Sequence, residues 1–250
     1  DDQRWDQMGC AGHPVIQTPN VDQLARDGVR FRNMFVTTSI CAASRASIFT
    51  GLYERAHRYT FRTVPISKEK TSLSYPALLK QNGYQTGFVG KFGVGVERGV
   101  TEEMFHYFKP LNRNPYHKPQ ADGSTRHVSQ IAGDLAIEFL TQQVKDKPFC
   151  LSVSFSIPHG SQTGSMYRWE TPADDNPILK DHPIYGSLYR DLDVKIPEQT
   201  ASDPSRHIPR KVMDQDKGRT KLYSYDYDRT ICREHHIRYY QQITGLDKVV

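Results

Sequence analysis

The sequence has no stretch of about eighteen consecutive apolar residues, so it offers no membrane-spanning helix. Its first residues, Asp1-Asp2-Gln3-Arg4, contain no apolar core of the kind a targeting leader carries. Cysteine is scarce. The four, Cys10, Cys41, Cys150 and Cys232, form no CxxC pair and no finger-like spacing with histidine, which argues against a structural zinc site and leaves the redox compartment open. Basic blocks are also missing: 33 Lys and Arg against 28 Asp and Glu give a net charge of +5, but the positive residues are dispersed. That pattern favours an anionic ligand over a nucleic-acid track. No internal repeat and no low-complexity tract occurs. What remains is a chain of 250 residues, 37% of them apolar. This is enough to bury the core of one large α/β domain or two small ones without disulfide or metal staples.

Helix and strand signals alternate along it. Thr18-Pro19, then Val21, Leu24 and Ala25, then Gly28, reads as a short helix with a Thr cap, a first-turn proline and a glycine stop. Val29 to Val36 reads as a strand. A capped helix is predicted from Ser74 to Asn82, ending at Gly83, with a strand following at Tyr84 to Val89. Ile131, Leu135 and Phe139 share one face of a predicted helix from Val128 to Val144, and Phe149 to Phe155 is the next strand. From Arg233 to Val250, Ile237, Tyr240, Ile243 or Thr244, and Leu246 recur at helical spacing, predicting an amphipathic helix. The alternation predicts an α/β fold, a mostly parallel sheet flanked by helices on both faces. Two stretches break the rhythm and read as long loop insertions, Val96 to Arg126 (about 96–126) and Pro158 to about Thr230 (about 158–230). Within the second, Tyr223, Tyr225 and Tyr227 alternate with polar residues and could equally be an edge strand.

The segment with the most chemistry is Cys41-Ala42-Ala43-Ser44-Arg45, running into Ala46-Ser47-Ile48-Phe49-Thr50-Gly51. A cysteine at the mouth of a helix sits where amide N–H groups and the macrodipole favour an anion, and Arg45 adds a fork of donors that matches a tetrahedral oxyanion. Taken alone, the cysteine reads as a buried thiol before a helix. Gly90-Lys91-Phe92-Gly93-Val94-Gly95 follows a predicted strand, the place where open α/β sheets present ligand-binding groups, though it lacks the spacing of a phosphate loop. Ser156-Ile157-Pro158-His159 stands in the same way after the next strand, with an imidazole suited to proton transfer or charge pairing.

Cys41-x-Ala-x-Arg45 resembles the signature of the formylglycine-dependent (type I) sulfatases of the alkaline-phosphatase-like superfamily, and the flanks agree. Thr18-Pro19-Asn20-Val21-Asp22-Gln23-Leu24-Ala25, Gly28-Val29-Arg30-Phe31 and the Thr50-Gly51 that follows the cysteine are similar to that family, as are Lys91 and the Pro158-His159 segment. The resemblance runs along the whole chain. It implies that a formylglycine-generating enzyme oxidises Cys41 to an aldehyde, whose hydrate attacks sulfur in line and then collapses to release sulfate, a covalent route that splits one displacement into two. It further implies that Cys41, Arg45, Lys91 and His159 are catalytic. Asp1, Asp2 and the modified Cys41 would hold Ca²⁺, whose hard-oxygen preference suits carboxylates. Without the resemblance, Asp1 and Asp2 read as solvated charges.

One position departs from the family pattern. Where sulfatases place a histidine after the lysine, this chain has Gly93, which leaves open the group that returns the aldehyde. His235-His236 reads as a solvated pair on a polar helix face, while His127, His182 and His207 fall in loops without a motif.

Residues 1–250 are accordingly expected to be the N-terminal part of a sulfatase catalytic domain, truncated at both ends and without the C-terminal subdomain, binding calcium poorly by itself. The resemblance implies hydrolysis of a sulfated small molecule or glycan, with no nucleic acid partner and no membrane span. It also implies a secreted, periplasmic or lysosome-like location, with a signal peptide ahead of Asp1. Two alternatives stand beside it: a phosphonate or phosphate monoester hydrolase using the same aldehyde, and a degenerate protein that binds sulfated glycans, prompted by Gly93.

Overall fold

The computed structural model describes residues 2–61, 63–114, 116–142, 147–159, 187–194, 209–215 and 229–250. In chain order these form α1 (Pro19–Asp27), α2 (Cys41–Thr50), α3 (Glu54–His57), α4 (Lys68–Thr71), α5 (Tyr75–Gln81) and β1 (Gln85–Gly90). Next come α6 (Val100–Met104), β2 (Tyr107–Pro110), β3 (His117–Pro119), β4 (Thr125–His127), α7 (Val128–Thr141), β5 (Phe149–Ser154) and α8 (Arg229–Asp247). The chain divides into two units, one built mainly of residues 26–157 and the other of residues 3–25 and 158–248.

In the first unit, β1 is the centre of a parallel sheet ordered β2-β1-β5, with Gly90 opposite Pro110 on one side and Ser154 on the other. Successive residues of β1 face opposite sides. Phe88 points into a core with Ala46 and Phe49 of α2, Ala77 of α5, and Met104 and Phe105. Its ring lies 5.2–5.8 Å from those of Phe49, Phe92, Phe105 and Phe108. Gly87 faces the other way, against Phe139 of α7. Helices therefore cover both faces, as the alternation of signals predicts. A small antiparallel ribbon, β3 with β4, leads into α7.

In the second unit, α8 is the axis. Ile237, Tyr240 and Ile243 pack with Ile16, Tyr189 and Val194. The Tyr189 hydroxyl accepts from the Gln17 amide at 3.0 Å and pairs with Thr244 at 2.6 Å. Asp247 takes the free amides of α1, accepting from Asn20 N at 3.2 Å and Val21 N at 2.8 Å.

The structure corrects several sequence expectations. Val29 to Val36 is not a strand: no described strand pairs with it, and Val29, Phe31, Met34, Phe35 and Val36 stand exposed. Apolar alternation marks a strand only where a neighbour completes its ladder. Val96 to Arg126 is not one long loop, because it holds α6 and the sheet strand β2. Thr18 does not cap α1; its hydroxyl donates to Asp22 at 2.9 Å, and Asp247 is the cap. Ser74 precedes α5 without making a side-chain cap. The last helix is not amphipathic: Gln241, Gln242, Thr244 and Asp247 are as buried as its apolar residues. His235 and His236 are partly buried, not solvated. His236 Nδ1 lies 2.8 Å from the Cys232 carbonyl, and burial, then His236 and Arg238, push His235 down to about 4. His127 is no loose loop residue, since its Nδ1 accepts from Ser129 N and caps α7. Asp1, Val144, His182, His207 and Tyr223, Tyr225 and Tyr227 lie outside the described residues.

Candidate active site

Cys41 opens α2, with Ile40 as an extended N-cap residue, so its side chain stands beside the unsatisfied first-turn amides. Ala42, Ala43 and Ala46 are buried to 1% or less, so the first turns of the helix pack inward through small side chains. Arg45 falls one turn further on and reaches the ends of two strands. Its Nη1 donates to the Lys91 carbonyl at 2.7 Å and to the Ser154 hydroxyl. The amide of Lys91 in turn donates to the Ser154 carbonyl at 2.8 Å, and that of Leu111 to the Gly90 carbonyl at 2.8 Å. The carboxyl ends of β1, β2 and β5 and the start of α2 are thus tied together, where open α/β sheets bind ligands.

Two glycines make this possible. Gly90 has φ 101°, and a Cβ on it would lie 2.1 Å from the Ser154 carbonyl oxygen. Gly93 has φ 64°, and a Cβ there would lie 3.1 Å from Arg45 Cδ and 3.7 Å from Lys91 Cε. The absent histidine is therefore a feature of the local geometry: the backbone at Gly93 is left-handed, and the space beside it is taken by Arg45.

Charge converges on Cys41. Burial pushes the Arg45 guanidinium below its usual value, while Cys41 and Asp2 pull it back up. Burial likewise lowers the Lys91 ammonium, with Arg45 and Arg113 acting in the same direction and Cys41 and Asp2 opposing. Tyr116, buried close by, has its phenol pushed up to about 12 by burial. Of the residues expected in the site, the structure brings Asp2, Cys41, Arg45 and Lys91 together. His159, half-buried beyond β5, belongs to the second unit. Ser154 and Arg113 had no motif to announce them. Ser154 lies at the carboxyl end of β5, a strand the sequence does predict, and that was the available signal; Arg113 lies just beyond β2, which no local pattern announces.

Such a cluster can bind and polarise a tetrahedral anion next to a nucleophile. It does not by itself make a calcium site: among the described residues no group of three or more His, Cys, Asp or Glu could hold a metal ion, and Asp2 offers a single carboxylate. None of the described cysteines is joined in a disulfide.

The family model described as Sulfatase matches residues 1–250. An N-acetylglucosamine-6-O-sulfatase of Bacteroides thetaiotaomicron is 31% identical over 215 residues, covering 81% of this chain and 38% of its own length. The chain thus spans well under half of that relative. A solved protein in complex with its substrate D-glucosamine-2-N,6-O-disulfate superposes with a TM-score of 0.66 at 21% identity, covering all of this chain and 58% of the other. A phosphonate monoester hydrolase of Agrobacterium radiobacter does so with a TM-score of 0.60 at 19% identity, covering 100% and 56%. At these identities the two structures speak for the fold alone.

Proposed function

Because the chain belongs to the sulfatase family, we propose that it forms part of an enzyme that hydrolyses sulfate esters of a carbohydrate, with Cys41 as the nucleophile after conversion to formylglycine. The observation that carries this reading is the junction of Cys41, at the head of α2, with Arg45 and Lys91 at the ends of the strands. The chemical class of the substrate is supported by the N-acetylglucosamine-6-O-sulfatase relative.

Formylglycine, when formed, would supply a hydrated aldehyde with two hydroxyls, one to attack sulfur and a second whose collapse to the aldehyde sheds the sulfate that a serine would keep as a stable ester. The chain's own groups do the rest. Lys91 binds a sulfate oxygen, and its burial beside other cations makes its proton easier to give to the departing alkoxide. Arg45 spends one arm on the Lys91 carbonyl and Ser154, so it fixes Lys91 in place as well as adding positive charge. His159 is proposed to contact the sulfate and the leaving oxygen. Calcium, with Asp1 and Asp2 among its ligands, belongs to the same reading and needs carboxylates besides Asp2. A formylglycine-generating enzyme is the maturation partner. A secreted, periplasmic or lysosome-like location completes the proposal; among the described residues no helix is long and apolar enough to cross a membrane.

Gly93 favours a second reading, a sulfated-glycan binder without turnover. Mass spectrometry of the Asn33–Arg45 tryptic peptide, from full-length protein expressed with a formylglycine-generating enzyme, separates the two. Aldehyde at Cys41 with hydrolysis of 4-nitrophenyl sulfate in preference to 4-nitrophenyl phosphate is expected. An unmodified thiol, when a control sulfatase is converted in the same cells, overturns the hydrolase reading. A strong preference for the phosphate ester moves it to the phosphonate or phosphate monoester hydrolases.

A further inference from the structure

The loop that follows β2 crosses the carboxyl end of the sheet and is pinned on both sides. Leu111 N donates to the Gly90 carbonyl at 2.8 Å, and the Tyr116 carbonyl accepts from Val128 N at 2.7 Å. Tyr116 is 4% exposed and anchors the loop inside the unit. Between these anchors stands Arg113, half-buried, with no hydrogen bond or ion pair to another described residue. It is close enough for its charge to bear on both Lys91 and the Tyr116 phenol.

A cation held by a pinned loop beside two others is unfavourable unless an anion joins them. The charges show which anion is lacking. Among the described residues, Asp2 is the carboxylate whose charge bears on both Arg45 and Lys91. With a singly charged sulfate ester that makes two anions against three cations, and the calcium ion of the proposed site, doubly positive against the one further carboxylate of Asp1, does not supply the missing one. Arg113 is then in excess. Its guanidinium is free to present a planar fork, the shape that recognises a carboxylate or a sulfo group through paired donors. We infer that Arg113 is a specificity-determining residue that binds a second anionic group, a sulfo group or a carboxylate, carried by the same substrate next to the sulfate ester at Cys41. The inference rests on the sulfate-ester reading of the site and narrows it to substrates with two neighbouring anions.

Calorimetric binding to the full-length protein tests it with three ligands: glucosamine 6-sulfate, D-glucosamine-2-N,6-O-disulfate and glucuronic acid 2-sulfate. The first carries one anion; the other two add a sulfo group and a carboxylate, and so tell the two sources apart. The protein is expected to bind at least one of the doubly anionic sugars about tenfold more tightly than the monosulfate, as one charge-assisted contact provides. Arg113→Gln should abolish that ratio, and Arg113→Lys should keep part of it. The inference is overturned if no ligand binds, if neither doubly anionic sugar is preferred, or if Arg113→Gln leaves the ratio unchanged. Equal weakening of all three ligands also overturns it, placing Arg113 in the sulfate cradle itself. Turnover of 4-nitrophenyl sulfate by the aldehyde-bearing protein is measured alongside: its absence counts against the sulfatase reading, whereas its presence with no Arg113-dependent ratio counts against this inference alone.

Discussion

Replacing Gly93 by alanine should cost more than its exposed position suggests. The native φ is 64°, a region where a Cβ crowds the backbone at about 1–2 kcal/mol per residue. To this is added a contact of 3.1 Å between the new Cβ and Arg45 Cδ, an atom that cannot swing away freely while its Nη1 is held by Lys91 and Ser154. The sum expected is roughly 2 kcal/mol, read as a lower urea midpoint of the full-length protein at unchanged slope. Gly93→Asn separates the two contributions. Asparagine tolerates the left-handed region better than alanine but brings a larger side chain toward Arg45. If backbone strain dominates, Asn is the milder change; if the Arg45 contact dominates, Asn is the worse, and hydrolysis falls with stability because Lys91 is displaced. Alanine and asparagine variants both within 0.5 kcal/mol of the parent, a range typical of plain surface changes, would refute the reasoning.

Three other outcomes are expected. Ser154→Ala removes one acceptor of the Arg45 brace and should cost about 1 kcal/mol, with a larger loss in kcat/KM for 4-nitrophenyl sulfate than global unfolding explains. Asp247→Ala uncaps α1 and should cost about 1–2 kcal/mol, seen as faster hydrogen exchange at Asn20 and Val21; unchanged exchange there would remove Asp247 from the cap. His235 is held neutral in the fold, near 4 against 6.5 when exposed. Between those values the unfolded chain takes up a proton that the folded one refuses, so stability should fall as pH drops from about 6.5 to 4, by up to about 3 kcal/mol. His235→Gln should flatten that part of the urea-midpoint profile, and an unchanged slope would place the titration elsewhere.

Elements whose signals are local were legible from residues alone. α5 and β1 fall within a residue of expectation because Pro76 and Gly83 punctuate them, α7 because its apolar face repeats, and β5 because it is a short apolar run. β2 was missed since Tyr107-Phe108-Lys109-Pro110 is only four residues long and ends in proline. Val29 to Val36 misled for the opposite reason, having the composition of a strand without a described partner. In the site, Cys41, Arg45 and Lys91 were legible through their motifs. Arg113 was not, because its meaning depends on β2. The capping role of Asp247 and the burial of His235 depend on contacts with residues far away in sequence, which no local pattern encodes.

The Asp247 cap has a consequence in time. Asn20 and Asp247 are 227 residues apart, so the amides at the start of α1 wait for one of the last residues of this stretch to be made. Residues 26–157, whose sheet is closed by β5, need nothing from that end to pair their strands. On a ribosome the early chain would therefore stay unsettled while the later, nucleophile-bearing part takes shape, an order set by the closure of one very long loop. Pulsed hydrogen exchange during refolding should find Phe88 and Val89 protected before Asn20 and Val21, and the reverse order would show that α1 is secured by something other than its distant cap.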